Sequence, residues 1–564
     1  MLTALALTGA ACVGTAAALP ADSGTAAAAC TVDYKVQNQW DSGFTTAVTV
    51  TNNGAAVNSW NLTWSYAGNQ KVTNGWNADL SQSGAAVTAK NASYNGALAT
   101  GASASFGFNA TYSGSNALPA TFKLNGVTCN EDTDPTDPTD PTDPTEPGDR
   151  VDNPYAGAKV YVNPEWSAKA KAEPGGSRIA NQPTGVWLDR IAAINGVGDG
   201  MGLRDHLDAA LAQKGSGEQV VQLVVYNLPG RDCAALASNG ELGPTEIDKY
   251  KTDYINPIAA ILAEPKYAGL RIVTTIEIDS LPNLITNVSG RPTATPNCDV
   301  MKANGNYQKG VAYALDKLGD IGNVYNYIDA GHHGWLGWDD NFGPSAELFK
   351  TTASGNGAKL SDVHGFIVNT ANYSALKENN FAIGDSVAGK SVRESKWVDW
   401  NRYTDELSYA QAMRTKLVSL GFDQNLGMLI DTSRNGWGGT ARPAGPGATT
   451  DVDTYVNGGR YDRRIHLGNW CNQSGAGLGE RPQANPATGI DAYVWMKPPG
   501  ESDGSSKAID NDEGKGFDRM CDPTYTGNPR NNNNMSGALP DAPVSGHWFS
   551  AQFQELMKNA YPAL

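Results

Sequence analysis

A run of repeated Asp-Pro-Thr triplets divides this chain into two parts that are expected to fold separately. Residues 131–149 carry eight acidic side chains, and proline recurs at every third position between Pro135 and Pro147. Proline at this spacing favours an extended polyproline II conformation, and the like charges repel one another, so the segment cannot build a core. The repeat therefore predicts a spacer between a module at 30–130 and a larger domain at 150–564.

The first 29 residues have the composition of an export signal. They are rich in Ala, Leu, Thr and Gly, and the first basic residue is Lys35. An apolar stretch that ends in small residues predicts a signal peptide at 1–29, whose charged beginning is expected upstream of this sequence. Lipidation at Cys12 is the alternative, but Gly9-Ala10-Ala11 matches a lipidation box poorly. We expect a secreted, extracellular protein.

Six further cysteines remain, an even number that favours structural disulfides in an exported chain. None of them forms a CxxC pair, which argues against a zinc site. Cys30 and Cys129 bracket the smaller module, and the other four lie in the larger domain: Cys233, Cys298, Cys471 and Cys521.

The charge pattern excludes several partner classes. The formal net charge is −16, with half of that magnitude in the spacer and no basic cluster. Such a chain is a poor ligand for nucleic acid. No apolar stretch of membrane-spanning length follows the N-terminus. We therefore expect no nucleic acid and no membrane partner, and the acidic charge suits a neutral substrate or simple solubility. We also expect a monomer.

The smaller module predicts an antiparallel β-sandwich that presents aromatic rings. Residues 44–50 alternate apolar and polar side chains, and Asn52-Asn53-Gly54 then predicts a turn. Two tryptophans fit the core, Trp60 and Trp64. Three other aromatic residues follow polar, turn-like residues and are expected to be exposed, where flat rings can stack on sugar rings: Trp40, Trp76 and Tyr94.

The larger domain alternates apolar β-rich runs with helical segments such as Asp405–Leu420. Continuous apolar strands separated by helices predict a parallel sheet or barrel, whose active site lies at the carboxyl ends of the strands. The seven runs are Ala158–Asn163, Val220–Tyr226, Arg271–Asp279, Val324–Ala330, Gly365–Thr370, Leu426–Asp431 and Ala492–Lys497.

Three aspartates follow such runs: Asp232, Asp279 and Asp503. A carboxyl group among apolar residues favours its neutral form, which is what a general acid needs. Two structural alternatives compete with this interpretation. Asp279 could cap the next helix, and Asp232 in Arg231-Asp232-Cys233 could be a salt-bridged turn residue. The residues alone leave these alternatives open.

The smaller module carries several short motifs: Asn38-Gln39-Trp40, Asn74-Gly75-Trp76, Asn91–Gly96, Phe106-Gly107-Phe108 and Leu124–Cys129. Together with Cys30 they resemble a family 2 carbohydrate-binding module. The resemblance covers all of 30–130 and implies a cellulose-binding sandwich with Trp40, Trp76 and Tyr94 as its platform, Tyr94 standing where tryptophan is usual.

The larger domain carries a series of motifs: Val225–Ala235 with Ser238-Asn239-Gly240, Ile276–Ser280, Asp329–His332 with Gly334–Trp338, Asn469–Asn472 and Trp495–Gly504. These motifs resemble glycoside hydrolase family 6 and occur in the family's order, and the resemblance runs from about Tyr155 to the C-terminus. The resemblance implies a distorted, seven-stranded β/α barrel that hydrolyses β-1,4-glucan with inversion and without a cofactor.

Roles for individual residues also follow from the resemblance. Asp279 matches the general acid, Asp232 the aspartate that keeps this acid protonated, and Asp503 the candidate base. Tyr226 and Ser238 match residues that distort the sugar ring and hold the attacking water. The implied substrate-binding residues are Tyr161, His332, Trp335, Trp338, Asn372, Arg434, Trp470, Lys497 and Glu501.

The resemblance also implies the disulfides Cys233–Cys298 and Cys471–Cys521, each fixing a loop over the site. His332-His333 could suggest a metal, but adjacent residues in an extended run point to opposite sides and no third ligand is evident, so hydrogen bonding is favoured. No metal is expected.

Two long segments bear on the mode of attack. Asn435–Ala476 and Gly504–Gly546 are rich in Gly, Pro and Asn, and loops of this length usually act as lids or binding loops. They resemble the bacterial exo-acting group, which implies cellobiose release from the non-reducing ends of cellulose. An endoglucanase is the alternative, and a non-catalytic cellulose-binding protein is the rival from another class.

Overall fold

The computed structural model describes residues 30–129, apart from 41, 67, 114–115, 117–118 and 120, and residues 150–564. The predicted signal peptide, Cys12 and the predicted spacer lie outside the described residues. The chain divides into two compact units, Met1–Asp143 and Pro144–Leu564.

The first unit consists of two antiparallel sheets around one core, as predicted. One sheet has the strand order β1-β2-β7-β4 and the other β5-β6-β3-β8-β9. Trp60 and Trp64 are buried in the core, where both stack against Phe106. The disulfide Cys30–Cys129 joins the two ends of this unit. The strands are β1 (Cys30–Trp40), β2 (Gly43–Asn52), β3 (Asn61–Ser65), β4 (Lys71–Trp76), β5 (Ala78–Ser83), β6 (Ala86–Asn91), β7 (Ser103–Thr111), β8 (Phe122–Leu124) and β9 (Val127–Thr128).

Three aromatic side chains of this unit are exposed, as the sequence predicts. The exposed fractions are 48% for Trp40, 41% for Trp76 and 73% for Tyr94. The prediction that these rings follow turns is wrong for two of them, because Trp40 and Trp76 are the last residues of strands β1 and β4. Both indoles lie against glycine: a Cβ on Gly107 would come within 2.4 Å of the Trp76 ring. The flat approach of each ring to its sheet therefore depends on glycine.

The second unit is built on a curled, mostly parallel sheet. The strand order is β10-β12-β13-β14-β15-β18-β22-β21, and β11 also pairs with β12. All pairs are parallel except β21 with β22. The strands of this unit are β10 (Ala158–Val160), β11 (Val186–Leu188), β12 (Glu218–Val225), β13 (Arg271–Ile276), β14 (Val324–Asp329), β15 (Gly365–Val368), β16 (Ser386–Val387), β17 (Lys390–Ser391), β18 (Gly427–Asp431), β19 (Gly436–Trp437), β20 (Ala476–Gly477), β21 (Gln483–Ala487) and β22 (Ile490–Val494).

All seven predicted apolar runs contain strands of this sheet. Two strands were missed, the three-residue β11 and the polar edge strand β21. Within the described residues no hydrogen-bonded pair joins β10 to β21, so the expected barrel takes the form of an open half-barrel. Its strands are apolar on both faces because each face has its own core. Val221 and Leu223 of β12 point into one core, whereas Val220 and Val224 point into the other.

Helices cover the outside of this sheet. The predicted helix at 405–420 is present as α10, and the Asp405 side chain caps it by accepting from the Ser408 N–H at 2.9 Å. In the described part of the chain no helix is long and apolar enough to cross a membrane. The helices are α1 (Pro164–Ala172), α2 (Leu203–Lys214), α3 (Ile247–Lys249), α4 (Asn256–Leu262), α5 (Ser280–Thr286), α6 (Pro296–Asn304), α7 (Asn306–Gly319), α8 (His333–Leu336), α9 (Asp339–Ala353), α10 (Glu406–Ser419), α11 (Val452–Gly459) and α12 (Ser550–Lys558), and the π-helical turn Tyr250–Ile255 joins α3 to α4.

Candidate active site

A cavity of ≈ 310 Å³ lies at the carboxyl ends of the parallel strands. Its walls come from β11 itself and from the segments that follow β12, β13, β14, β15, β19 and β22, where the topology places an active site. The lining includes the predicted residues Asp232, Asp279, Asp503, Tyr226, Ser238, His332, Trp335, Trp338, Asn372, Trp470 and Lys497.

Asp279 is half-buried between the end of β13 and helix α5, with its backbone in the left-handed region at φ 60°. The helix-cap alternative is wrong, because its side chain makes no capping hydrogen bond to α5. Burial raises the pKa of Asp279 well above its usual range, and the nearby charges of Asp232 and Asp329 raise it further. The site therefore favours a protonated carboxyl group at this position.

Asp232 is buried and accepts a hydrogen bond from the hydroxyl of Tyr226. Burial raises its pKa, whereas the nearby hydroxyls of Ser238 and Tyr226 lower it. The salt-bridge alternative is wrong: the guanidinium of Arg231 donates to main-chain carbonyl oxygens and packs 4.1 Å from the centre of the Tyr226 ring. Two carboxyl groups with raised pKa values, those of half-buried Asp279 and buried Asp232, thus face the same cavity.

Asp503 differs from the other two aspartates because its carboxylate is surrounded by donors. Arg434 Nη1 donates to Oδ1 at 2.7 Å, while the Tyr373 hydroxyl and the Asn472 N–H donate to Oδ2 at 2.6 and 2.8 Å. A carboxylate offers about four acceptor positions, so one is left towards the cavity. Arg434 is fully buried and does not line the cavity, so its predicted contact with substrate is corrected to a contact with Asp503.

Asp329, at the end of β14, was quoted in a motif but was not assigned a role from the sequence. Its Oδ2 accepts hydrogen bonds from the N–H groups of Asp279 at 3.0 Å and of Gly331 at 3.3 Å. Burial raises the pKa of Asp329 to about 7. The sequence signal that could have identified Asp329 was its position as a polar residue at the end of a predicted parallel strand.

Three of the four predicted stacking residues line the cavity. Trp335 Nε1 donates to Thr286 Oγ1 at 2.8 Å, and Trp338 Nε1 donates to the Asp399 carbonyl at 2.6 Å, so both rings are fixed. Trp470 packs on the disulfide Cys471–Cys521. Tyr161 is the exception: it is buried in the core and its hydroxyl bonds to His206 Nδ1 at 3.0 Å, so the prediction that it stacks on sugar is wrong for this conformation.

Trp187 lines the cavity but was missed by sequence reasoning. It lies on β11, which is too short to give a periodic signal. Its ring packs edge-on against Tyr226 with a centroid distance of 5.4 Å, and its Nε1 donates to the Met496 carbonyl at 2.9 Å. The ring is therefore held beside the pair Tyr226 and Asp232.

Of the predicted polar contacts, His332, Asn372 and Lys497 line the cavity, whereas Glu501 does not. Burial lowers the pKa of Lys497 and raises that of Glu501. His332 and His333 make separate contacts, although His333 begins helix α8 and does not lie in the expected extended run. His332 faces the cavity, while His333 Nδ1 lies 2.6 Å from a buried carboxylate oxygen of Glu406.

The two long loops predicted as lids both contribute to the cavity wall; we call residues 435–476 and 504–546 the roof loops. His466, Gly468 and Trp470 come from the first roof loop, and Arg530 and Ser545 from the second. The predicted disulfides Cys233–Cys298 and Cys471–Cys521 are both present, and the latter joins the two roof loops.

Contacts at several points hold the second roof loop down. Arg530 Nη1 donates to the Ala234 carbonyl at 2.5 Å. At another point Lys515 lies 3.1 Å from Asp189, and Arg190 lies 2.8 Å from Glu513, so buried and half-buried charges join this loop to the segment after β11. These contacts fix the second roof loop to the segments that follow the neighbouring strands β11 and β12.

Comparison with known proteins agrees with this geometry. The family model described as glycosyl hydrolases family 6 matches residues 151–560, and that described as cellulose binding domain matches residues 30–129. The chain belongs to glycosyl hydrolase family 6. Both family resemblances noted in the sequence are therefore confirmed.

Several family 6 proteins are similar to this chain. Exoglucanase A of Cellulomonas fimi is 51% identical over 436 residues, which cover 73% of this chain and 49% of that protein. The chain thus spans about half the length of that relative. Exoglucanase 3 of Agaricus bisporus is 35% identical, covering 73% of this chain and 80% of that protein.

Solved structures show the same fold. The catalytic domain of Cel6B of Cellulomonas fimi has a TM-score of 0.70 and 50% identity, covering 73% of this chain and 96% of that chain. Cellobiohydrolase II of Humicola insolens in complex with glucose and cellotetraose has a TM-score of 0.57 and 30% identity. The match covers 73% of this chain and 100% of that chain. The curled parallel sheet is therefore shared within the family.

Proposed function

We propose that this family 6 protein is a secreted cellulase that hydrolyses β-1,4-glucosidic bonds with inversion and releases cellobiose from non-reducing chain ends. The observation that carries the proposal is the arrangement of Asp279, Asp232 and Asp503 around one cavity, to whose wall both roof loops contribute. Glycoside hydrolysis needs two carboxyl groups that act from opposite sides of the scissile bond.

Asp279 is the proposed general acid. It gives its proton to the glycosidic oxygen as the bond from that oxygen to the anomeric carbon breaks. Its raised pKa supports this role, because the proton is retained to a higher pH than on an ordinary aspartic acid. Asp232 and Asp329 assist by disfavouring a further negative charge beside it.

Water is the proposed nucleophile and attacks the anomeric carbon from the opposite face, which inverts the configuration. Asp503 is the proposed base, with its remaining acceptor position open to water or to a chain of waters. Tyr226 and Ser238 line the cavity beside Asp232, where their hydroxyls can position the water and the sugar ring.

Stacking and hydrogen bonding hold the glucan chain in this proposal. Trp335, Trp338 and Trp470 are half-buried rings that line the cavity, and stacking on the apolar face of a sugar needs such rings. His332, Asn372 and Lys497 add polar contacts along the lining. Glu501 does not line the cavity, and its contact with sugar stays a prediction from the family resemblance.

The roof loops support attack from the chain end, the exo mode, over internal cleavage. A chain under a closed roof can be threaded only from its end, so cuts follow one another at a fixed distance from that end. The names exoglucanase and cellobiohydrolase of similar proteins support the same mode. An open cleft would instead favour internal cleavage, as in an endoglucanase.

The smaller unit is the proposed cellulose anchor, with Trp40, Trp76 and Tyr94 as its platform. The family match and the exposure of the three rings support it. Three disulfides support an oxidising, extracellular location, since such bonds are rare in the cytosol.

Product analysis tests this function. The full chain is incubated with crystalline cellulose, and reducing ends are counted in the soluble and the insoluble fractions. We expect cellobiose to dominate and soluble ends to exceed insoluble ends by a wide margin. A majority of insoluble reducing ends would identify an endoglucanase, and the absence of any new reducing ends would identify a non-catalytic binding protein.

A further inference from the structure

Trp400 is a strongly exposed tryptophan of the larger unit, and it lies beside the cavity without lining it. Its side chain is 57% exposed, a larger fraction than that of Trp40 or Trp76. The preceding residue, Asp399, accepts the indole hydrogen bond of Trp338, which does line the cavity. Trp400 therefore comes directly after a residue that holds the aromatic lining of the cavity in place.

The backbone at this point is strained. Asp399 has φ 47° and Trp400 has φ 64°, so two consecutive residues other than glycine adopt the left-handed region. A bulky aromatic residue rarely adopts this conformation, and such strain tends to persist at ligand-binding positions. Core packing does not account for the strain, because the ring that results from it faces solvent.

Hydrogen bonds fix the segment that contains Trp400 to the wall of the cavity. The buried Asn401 side chain donates to the His333 carbonyl at 2.8 Å, and the Arg402 N–H donates to the Gly337 carbonyl at 3.2 Å. Both acceptors belong to the segment that leads to Trp338. The position of residue 400 relative to the cavity is therefore set by the same chain segment that presents Trp335 and Trp338.

Arg393 holds Trp400 from its other side. Arg393 Nη2 donates to the Trp400 carbonyl at 2.6 Å, the Trp400 N–H donates to the Arg393 carbonyl at 2.7 Å, and the guanidinium lies 5.8 Å from the indole centre. A ring placed in advance loses little conformational freedom when it binds a ligand. The indole is thus exposed but already positioned.

We infer that Trp400 is a glucan-stacking platform at the mouth of the cavity, which binds a β-1,4-glucan chain outside the sites formed by Trp335 and Trp338. This inference rests on the proposed function. The flat indole matches the apolar face of a pyranose ring, as the rings of the cavity do. A chain long enough to extend beyond Trp338 reaches Trp400, whereas a short oligosaccharide held near Asp279 does not.

Substitution at position 400 in the full chain tests the platform. Trp400→Asn removes the ring, and asparagine tolerates the left-handed region, so the fold is not endangered. Trp400→Tyr keeps a flat ring. Val197→Asn is the matched control, because Val197 is also exposed, at 51%, and does not line the cavity. The measured quantity is the rate on crystalline cellulose divided by the rate on cellotetraose.

We expect Trp400→Asn to lower this ratio about threefold to tenfold, which corresponds to the loss of one stacking contact. Trp400→Tyr should retain most of the ratio, and Val197→Asn should leave it unchanged. An unchanged ratio in Trp400→Asn, or an equal loss on both substrates, overturns the platform. If the unsubstituted protein hydrolyses neither substrate, the proposed function itself is contradicted.

Discussion

The main-chain N–H of Asp279 donates a hydrogen bond of 3.0 Å to the carboxylate of Asp329. This bond joins the ends of two neighbouring parallel strands, β13 and β14. It holds a second carboxyl group beside the proposed acid, where its charge raises the pKa of Asp279. The proposed proton donor and the carboxyl group that raises its pKa therefore lie at the ends of adjacent strands.

Asp279→Asn should abolish most of the activity. Asparagine keeps the size of the side chain but has no proton to give to a glycosidic oxygen. We expect turnover on cellotetraose to fall by at least roughly 100-fold. A substrate with a good leaving group, such as a dinitrophenyl cellobioside, needs less protonation and should lose less. Equal losses on both substrates would contradict the role of Asp279 as the acid.

Asp232→Asn should shift the pH profile. The acid works only when protonated, and its raised pKa keeps it protonated to a higher pH than an ordinary aspartic acid, so activity is lost as the pH rises through that pKa. Removal of the charge of Asp232 lowers the pKa of Asp279, and the alkaline limb should move to lower pH. Measured kcat against pH checks the shift, and the exposed Asp253→Asn is the control. If the alkaline limb of the Asp232→Asn profile stays in place, the effect of Asp232 on the pKa of Asp279 is contradicted.

Shortening the second roof loop should change the mode of attack. The Ser536 N–H donates to the Tyr525 carbonyl at 3.0 Å, so residues 526–535 form a closed excursion that carries Arg530 and leaves Cys521 paired. We replace 526–535 by Asn-Gly, which suits a tight turn. The viscosity of carboxymethylcellulose should then fall faster for each bond cut. If the shortened variant loses the same viscosity for each bond cut as the unchanged chain, closure of the cavity by the second roof loop is contradicted.

Trp76→Ala should remove most cellulose binding by the smaller unit. The indole of Trp76 is exposed and lies against Gly107, so its loss removes a stacking surface without opening the core. A cellulose pull-down of the full chain in the Asp279→Asn background measures the bound fraction. Val127→Ala, at an exposed position outside the platform, is the matched control. Retained binding in Trp76→Ala would place the platform elsewhere.

The sequence predicted most of the sheet because its strands are buried on both faces. Continuous apolar runs such as the one in β12 are visible without any tertiary information. Strand β11 is three residues long, and β21 is polar at the sheet edge, so neither gives such a run. The openness of the barrel depends on pairing between distant strands, which no local pattern encodes.

The site was predicted less completely than the fold. The three aspartates were found because each follows a strand, but the left-handed backbone at Asp232 and Asp279 could not be foreseen. Arg434 and Tyr161 were placed at the substrate although both are buried, since the depth of a side chain depends on long-range packing. Trp187 was missed because it lies on β11, which is too short to give a periodic signal.

The anomeric configuration of fresh product tests the central claim, inverting hydrolysis, most directly. A base that acts on water needs the two carboxyl groups to be about 6.5–9.5 Å apart, whereas a covalent nucleophile would need them closer. Proton NMR is recorded during the hydrolysis of cellotetraose by the full chain, before the product mutarotates. The account predicts that new reducing ends appear first as α-cellobiose, and initial formation of the β-anomer would contradict it.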